Sequence, residues 1–185
     1  MSFEIATPAG LGLSLWKQII EAGAEFGISV YGTEALHILR AEKGYIIVGD
    51  ETDGTTTADD VGLGGMVSKK KSDFIGKRSL EQAALKAAGR KQLVGLLTED
   101  PNEVLPDGAH AVAALLDKPP MKTIGHVTSS YMSPTLGRSI AMALIDNGRA
   151  KMGETISFAL EGGKVVKARI VDHVFYDKEG ARING

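Results

Sequence analysis

Apolar positions change their period part-way along this chain. "GLSLWKQIIEAGAEF", residues 12–26, sets Leu15, Trp16, Ile19, Ile20, Ala22 and Phe26 at helical spacing, with Gly27 as the stop. Gly23 lies inside the pattern and weakens its last turn. Ahead of that helix, Phe3 and Ile5 alternate like a short strand, and Pro8-Ala9-Gly10 reads as a turn. Residues 28–31, "ISVY", read as a short apolar strand or an extended link, and a second helix covers roughly 33–43. Residues 45–71 then form a long loop rich in Gly, Thr and acids, including Asp50, Glu51, Asp53, Asp59 and Asp60. Loops of that length in a compact domain are usually functional or partner-facing. A further helix is expected over about 77–88, closed by Gly89.

Beyond residue 90 the period becomes two. Short strands are expected in "KQLVGLLTE", "AHAVAALL", "KTIGHVTSS", "SIAMALID" and "TISFALEGGKVVKARIV". Pro106-Asp107-Gly108, Pro119-Pro120, Asn147-Gly148 and Gly162-Gly163 punctuate them, the last pair being a strong hairpin signal. Short strands with regular turns predict a small antiparallel β-barrel or sandwich. The expected organisation is therefore α+β, with an α+β part over 1–90 and an all-β part over 91–185.

The second helix ends on "LHILRAEKGY", residues 36–45, which puts Glu42 where the helix dipole disfavours an anion. The plain reading is an exposed helix-end residue paired with Arg40 or Lys43, an interaction of little worth. The alternative is a carboxylate that accepts two parallel N–H donors. The run Lys69-Lys70-Lys71 is the other charged feature. A solvated turn is the plain reading of that run.

Composition narrows the remaining chemistry. The 185 residues carry a net charge of −2 and only 5% aromatics, which argues against a nucleic-acid footprint or a stacking platform for single strands. Cysteine is absent, so disulfides, thiol catalysis and thiolate metal sites are excluded. His37, His110, His126 and His173 are not paired at metal-ligand spacing, so no metal site is expected. "GLGGMV" is the nearest approach to a glycine-rich phosphate loop, and no clear helix follows it. No transmembrane stretch or signal peptide is evident, so no membrane association is expected and the cytoplasm is the default compartment.

"YGTEALHILRAEKGYIIVGDETDGTTTADDVGLGGMVSKKKSDFIGKRSL" resembles the folate-binding domain of the glycine-cleavage T-protein (aminomethyltransferase) superfamily. "GHVTSSYMSPTLGRSIAMALID" and the ending "VFYD" resemble the same family's C-terminal barrel, where T-S-x-x-x-S-P-T-L-G is a characteristic signature. The likeness covers essentially the whole chain. "EALHILRAEKGYIIVG" and "VSKKKSDFIGKRSL" are nearest to the sarcosine oxidase α-subunit branch.

The resemblance implies a partial folate-binding α+β domain over 1–90, followed by the family's small antiparallel β-barrel over 91–185. It implies tetrahydrofolate as the cofactor, capturing the one-carbon unit of oxidised sarcosine as 5,10-methylenetetrahydrofolate with release of glycine. Flavins and NAD are then expected elsewhere in the holoenzyme, and the partners are the other sarcosine oxidase subunits and the preceding α-subunit domains. Aminomethyltransferase, a dimethylglycine-dehydrogenase-like protein and a non-catalytic folate-binding module are the alternatives. Glu42 stands at the family's pterin-pairing carboxylate. Lys70 or Lys71 falls where T-proteins have an Arg, a departure that keeps the charge and loses the planar fork. Tyr176 and Tyr31 are further candidates for the ligand's surroundings. The family's catalytic Asp lies in a half-domain that this chain does not match, so no catalytic residue is assigned. On that basis the chain is expected to be a fragment that binds tetrahydrofolate weakly and does no chemistry alone.

Overall fold

The computed structural model describes residues 3–182, and its backbone divides into two compact units, Met1–Ala35 and Leu36–Gly185. In the first, helix α1 spans Gly12–Gly23 and passes into a 3-10 turn at Ala24–Phe26. Gly27 ends it in the left-handed conformation at φ 68°. The glycine inside the helical pattern has a packing reason. A Cβ at Gly23 would lie 2.7 Å from the Cβ of Ile28, whose N–H donates back to the Gly23 carbonyl at 3.1 Å. The short strand expected at Phe3–Ile5 is absent, and of the two readings of residues 28–31 the extended link holds, since neither stretch forms β-structure. A strand exists only where a partner satisfies its backbone groups, and no ladder reaches either stretch.

Helix α2, Thr33–Glu42, matches the expected span. Gly44, at φ 69°, ends it, with its N–H on the Ala41 carbonyl and the Tyr45 N–H on that of Arg40. Residues 45–90 are mostly turns, with a 3-10 turn at Gly64–Met66 and a single-turn helix, α3, at Lys77–Leu80. The helix expected over 77–88 thus stops after four residues. Ala83, Ala84, Ala87 and Ala88 favour helix intrinsically, yet all are exposed and none packs on a core. Propensity without a buried face does not sustain a short helix.

The all-β part is a closed six-stranded barrel. Its strands are β1 (Lys91–Thr98), β2 (His110–Val112), β3 (Thr123–Ser133), β4 (Arg138–Asp146), β5 (Thr155–Ala159) and β6 (Val165–Val171). They are ordered β1-β4-β3-β2-β5-β6, with β6 closing antiparallel on β1. Closure leaves no edge strand. "AHAVAALL" supplies only the three residues of β2, whereas the Gly162-Gly163 hairpin forms as expected, pairing Phe158 with Val166.

Val94, Leu96, Val127, Ala141, Ala143, Ile145, Phe158, Ala168 and Ile170 fill the barrel interior. The alternate residues of β4, namely Ile140, Met142 and Leu144, join Leu93, Ala41 and Val61 in a second core outside the barrel wall. β4 is therefore buried on both faces, which accounts for the unbroken apolar run "IAMALI". Phe158 is fully buried in the barrel core. Phe158→Ala is expected to lower unfolding stability by ~3–5 kcal/mol, read as a lower urea midpoint at unchanged slope.

Candidate functional site

The last turn of α2 buries three consecutive residues: Arg40, Ala41 and Glu42. Ala41 belongs to the outer core, and the two charged side chains find separate partners. The Arg40 Nη1 donates to Glu51 Oε2 at 3.0 Å, and Nη2 donates to Ser129 Oγ at 2.6 Å. Its guanidinium lies 5.8 Å from the centre of the Tyr131 ring. Glu51 is completely buried, and its two oxygens also accept from the Ile47 N–H and from the hydroxyls of Thr128 and Ser129. A buried ion pair is tolerable only when its remaining hydrogen-bonding capacity is used, and for Glu51 it is.

Neighbouring strand residues normally point to opposite faces, yet Thr128 and Ser129 both reach Glu51 Oε1, at 2.9 and 2.6 Å. The β3–β4 register shifts between Val127 and Ser129, and this bulge re-aims the extra residue toward the carboxylate.

Glu42 is 2% exposed, and its Oε1 accepts a hydrogen bond of 2.6 Å from Ser133 at the end of β3. The Ser133 Oγ itself accepts from the Leu136 N–H at 3.0 Å. The Glu42 carbonyl receives the N–H groups of Phe175 and Tyr176, at 3.0 and 2.9 Å. This corrects the plain reading of the helix end. Glu42 is neither exposed nor paired with Arg40 or Lys43, because Glu51 takes Arg40 and Asp177 takes Lys43 at 3.2 Å. A serine donor compensates the carboxylate where a cation was expected.

Of the other acids of the long loop, Asp53 is committed to the loop itself and Asp60 ties it to the barrel. Asp53 accepts from the N–H and hydroxyl of Thr55 and from the Thr56 hydroxyl, and these bonds bring its carboxyl down to about 2. Burial works to raise Asp60, but the Arg90 guanidinium and Thr57 outweigh it and hold the carboxyl below the ordinary range. The same Arg90 donates to the Thr55 carbonyl at 2.8 Å, and the Leu93 N–H donates to the Asp60 carbonyl at 2.8 Å. Loop and first barrel strand are thereby joined. A cleft of about 630 Å³ beside this joint is lined by residues including Asp59, Gly64, Lys69, Lys86 and Arg90, and by neither Glu42 nor Tyr176.

The five residues singled out from sequence fall in different places. Glu42 and Tyr176 meet through the backbone bond above, and Tyr176 is half-buried with the Arg182 guanidinium 5.8 Å from its ring centre. Lys70 and Lys71 are exposed on the loop and hold no ion pair among the described residues. Tyr31 is exposed in the first unit. Arg40, Glu51, Thr128, Ser129 and Ser133 went unassigned from sequence. Three of them lie in the quoted "TSSYMSPTLG", whose hydroxyls were visible but whose partners were not. Among the described residues there is no cluster of three or more potential metal ligands and no helix long and apolar enough to cross a membrane.

Comparison with known proteins agrees with this architecture. The family model of the glycine cleavage T-protein C-terminal barrel domain matches residues 91–177, and that of the GCVT N-terminal domain matches residues 1–71. The whole chain aligns at 45% identity with the sarcosine oxidase subunit alpha of Corynebacterium sp. strain U-96, and at 39% with that of Rhizobium meliloti. It spans only 19% of the length of either subunit. An aminomethyltransferase of Desulfitobacterium hafniense is 36% identical over 96% of the chain and 46% of its own length. Among solved structures, the glycine cleavage system aminomethyltransferase T of Bartonella henselae superposes with a TM-score of 0.75. That superposition covers 92% of this chain and 45% of the other at 22% identity, a likeness of fold.

Removing one member of the buried pair strands the other. Glu51→Ala is expected to cost ~3–5 kcal/mol in urea unfolding, and Arg40→Met with Glu51→Leu less than the two single changes together. Burial lowers the pKa of His173 and of His126, so both enter the folded state neutral. The unfolded chain then binds the protons more readily near pH ~6.5. Stability is unaffected above that pH and declines as pH falls through it. Thermal melts between pH 7.5 and 5.5 should show this decline, flattened in the His126→Gln, His173→Gln double variant.

Proposed function

The chain belongs to the glycine-cleavage T-protein (aminomethyltransferase) superfamily, and from that membership we propose that it is the tetrahydrofolate-binding region of a sarcosine oxidase α subunit. The observation that carries the reading is Glu42: a buried carboxylate with no ion-pair partner among the described residues, hydrogen-bonded by Ser133. Such a group suits a ligand edge bearing parallel N–H donors, where a preformed acceptor loses little entropy on binding. The identity of 45% along the whole chain with a sarcosine oxidase subunit favours that branch over the aminomethyltransferases, such as the Desulfitobacterium hafniense enzyme at 36%.

In this reading Glu42 accepts from the pyrimidine edge of the pterin. Lys70 and Lys71, exposed and without ion-pair partners among the described residues, supply point charges for the carboxylates of the glutamate tail. Tyr176 offers aromatic surface to the ligand. Bound tetrahydrofolate supplies the nitrogens that take over the one-carbon unit of oxidised sarcosine, giving 5,10-methylenetetrahydrofolate and free glycine. The residues of this chain bind and orient, and no proton transfer is assigned to them. The folate-domain portion is placed at residues 1–90 and the barrel at 91–185. The remaining α-subunit domains and the other subunits hold the flavins and NAD, in a cytoplasmic assembly. An aminomethyltransferase acting on another amine is the second reading, favoured by the match over 96% of the chain to that enzyme class.

In the full protein, Glu42→Ala is expected to abolish methylene transfer to tetrahydrofolate while sarcosine oxidation continues. Folate coupling left unchanged by Glu42→Ala overturns the assignment. Isothermal titration of the 185-residue chain should give tetrahydrofolate binding weaker than micromolar.

A further inference from the structure

We propose that Ser133 is a positioning residue for tetrahydrofolate recognition, so that the barrel, through one hydroxyl, sets the orientation of the carboxylate that reads the pterin. The proposal rests on the folate reading above and gives a role to Ser133, a residue of the quoted barrel signature to which the sequence assigned none.

Three observations carry it. First, the Ser133 hydroxyl and the Glu42 carboxylate are 2.6 Å apart, and the two residues are 0% and 2% exposed. A charge-assisted bond of this length in a buried setting is among the stronger ones available to a serine.

Second, the direction of the hydroxyl proton follows from the local bonds. The Leu136 N–H donates to the same Oγ at 3.0 Å, which uses the oxygen as an acceptor. A hydroxyl has one proton to give, and Glu42 Oε1 is its acceptor. The turn Pro134-Thr135-Leu136-Gly137 between β3 and β4 therefore holds Ser133, and Ser133 holds Glu42.

Third, the Glu42 main chain is anchored without any help from Ser133. Its carbonyl receives the N–H groups of Phe175 and Tyr176, and its helix is fixed by the Arg40–Glu51 pair two residues back. The serine hydroxyl thus governs the rotation of the carboxylate plane and not the location of the residue. Planar recognition of paired donors depends on that rotation.

The test separates positioning from folding. In the full protein, Ser133→Ala, Ser133→Thr and Glu42→Ala are compared for the KM of tetrahydrofolate, for kcat at saturating tetrahydrofolate and for sarcosine oxidation without folate. Thermal midpoints are read alongside. A positioning role predicts that Ser133→Ala raises the KM for tetrahydrofolate about tenfold. Saturated kcat and folate-independent oxidation then stay near wild type. Ser133→Thr, which keeps the hydroxyl, should restore the KM.

A merely structural serine would lower the melting temperature and the active fraction, reducing kcat without moving KM. That pattern overturns the proposal, as does a Ser133→Ala protein with wild-type KM. If Glu42→Ala raises the KM and Ser133→Ala does not, the folate reading stands and the serine assignment falls. If neither variant moves it, the folate assignment of Glu42 falls and the positioning role falls with it.

Discussion

The buried pair between Arg40 and Glu51 is the constraint around which this chain is arranged. Two opposite charges leave water together, and hydrogen bonds to the carboxylate offset much of the cost of that transfer. The barrel and the adjoining loop provide them. Thr128, Ser129 and the Ile47 N–H saturate Glu51, and Ser129 also accepts from Arg40. Without the bulge in β3, two successive hydroxyls could not face one carboxylate. A local irregularity of the sheet thus fastens the helix end to the barrel, and the fastening brings Glu42 against Ser133.

The apolar packing has the same layout. β4 presents Ala141, Ala143 and Ile145 to the barrel interior, and Ile140, Met142 and Leu144 to the core shared with Ala41 and Val61. One strand therefore belongs to two cores, and its register places the hydroxyl-bearing strand β3 beside it. Gly44 completes the arrangement. Its left-handed φ turns the chain, and a Cβ there would lie 2.7 Å from the carbonyl oxygen of His173, so the backbone of the closing segment can approach the helix end. From that segment Phe175 and Tyr176 reach the Glu42 carbonyl.

Much of the fold was legible in the pattern of residues. Helical spacing with glycine stops marked α1 and α2, and alternation between turn signals marked the barrel strands. The failures share a cause. The strand expected at residues 3–5 has no ladder, and the helix expected over 77–88 buries none of its residues. Both patterns were local, and local preference does not supply the partner that a strand or a short helix needs. Of the candidate site, Glu42 stood out because an anion at a helix C-terminus is disfavoured. Its compensation was misjudged because Arg40 and Lys43 are near in sequence, whereas Ser133 is far away along the chain and beside it in space.

Periodicity, turn residues and the absence of cysteine determined by themselves that this is an α+β chain ending in an antiparallel β-sheet, free of thiol chemistry, since those properties follow from covalent structure and local backbone preference. Tertiary structure alone decided which charges are buried and which partners satisfy them. Asp177 takes Lys43, Glu51 takes Arg40 and Ser133 takes Glu42. Pairings of that kind join distant segments of the chain, and they are selected by the cost of leaving a buried polar group unsatisfied, which no local pattern records.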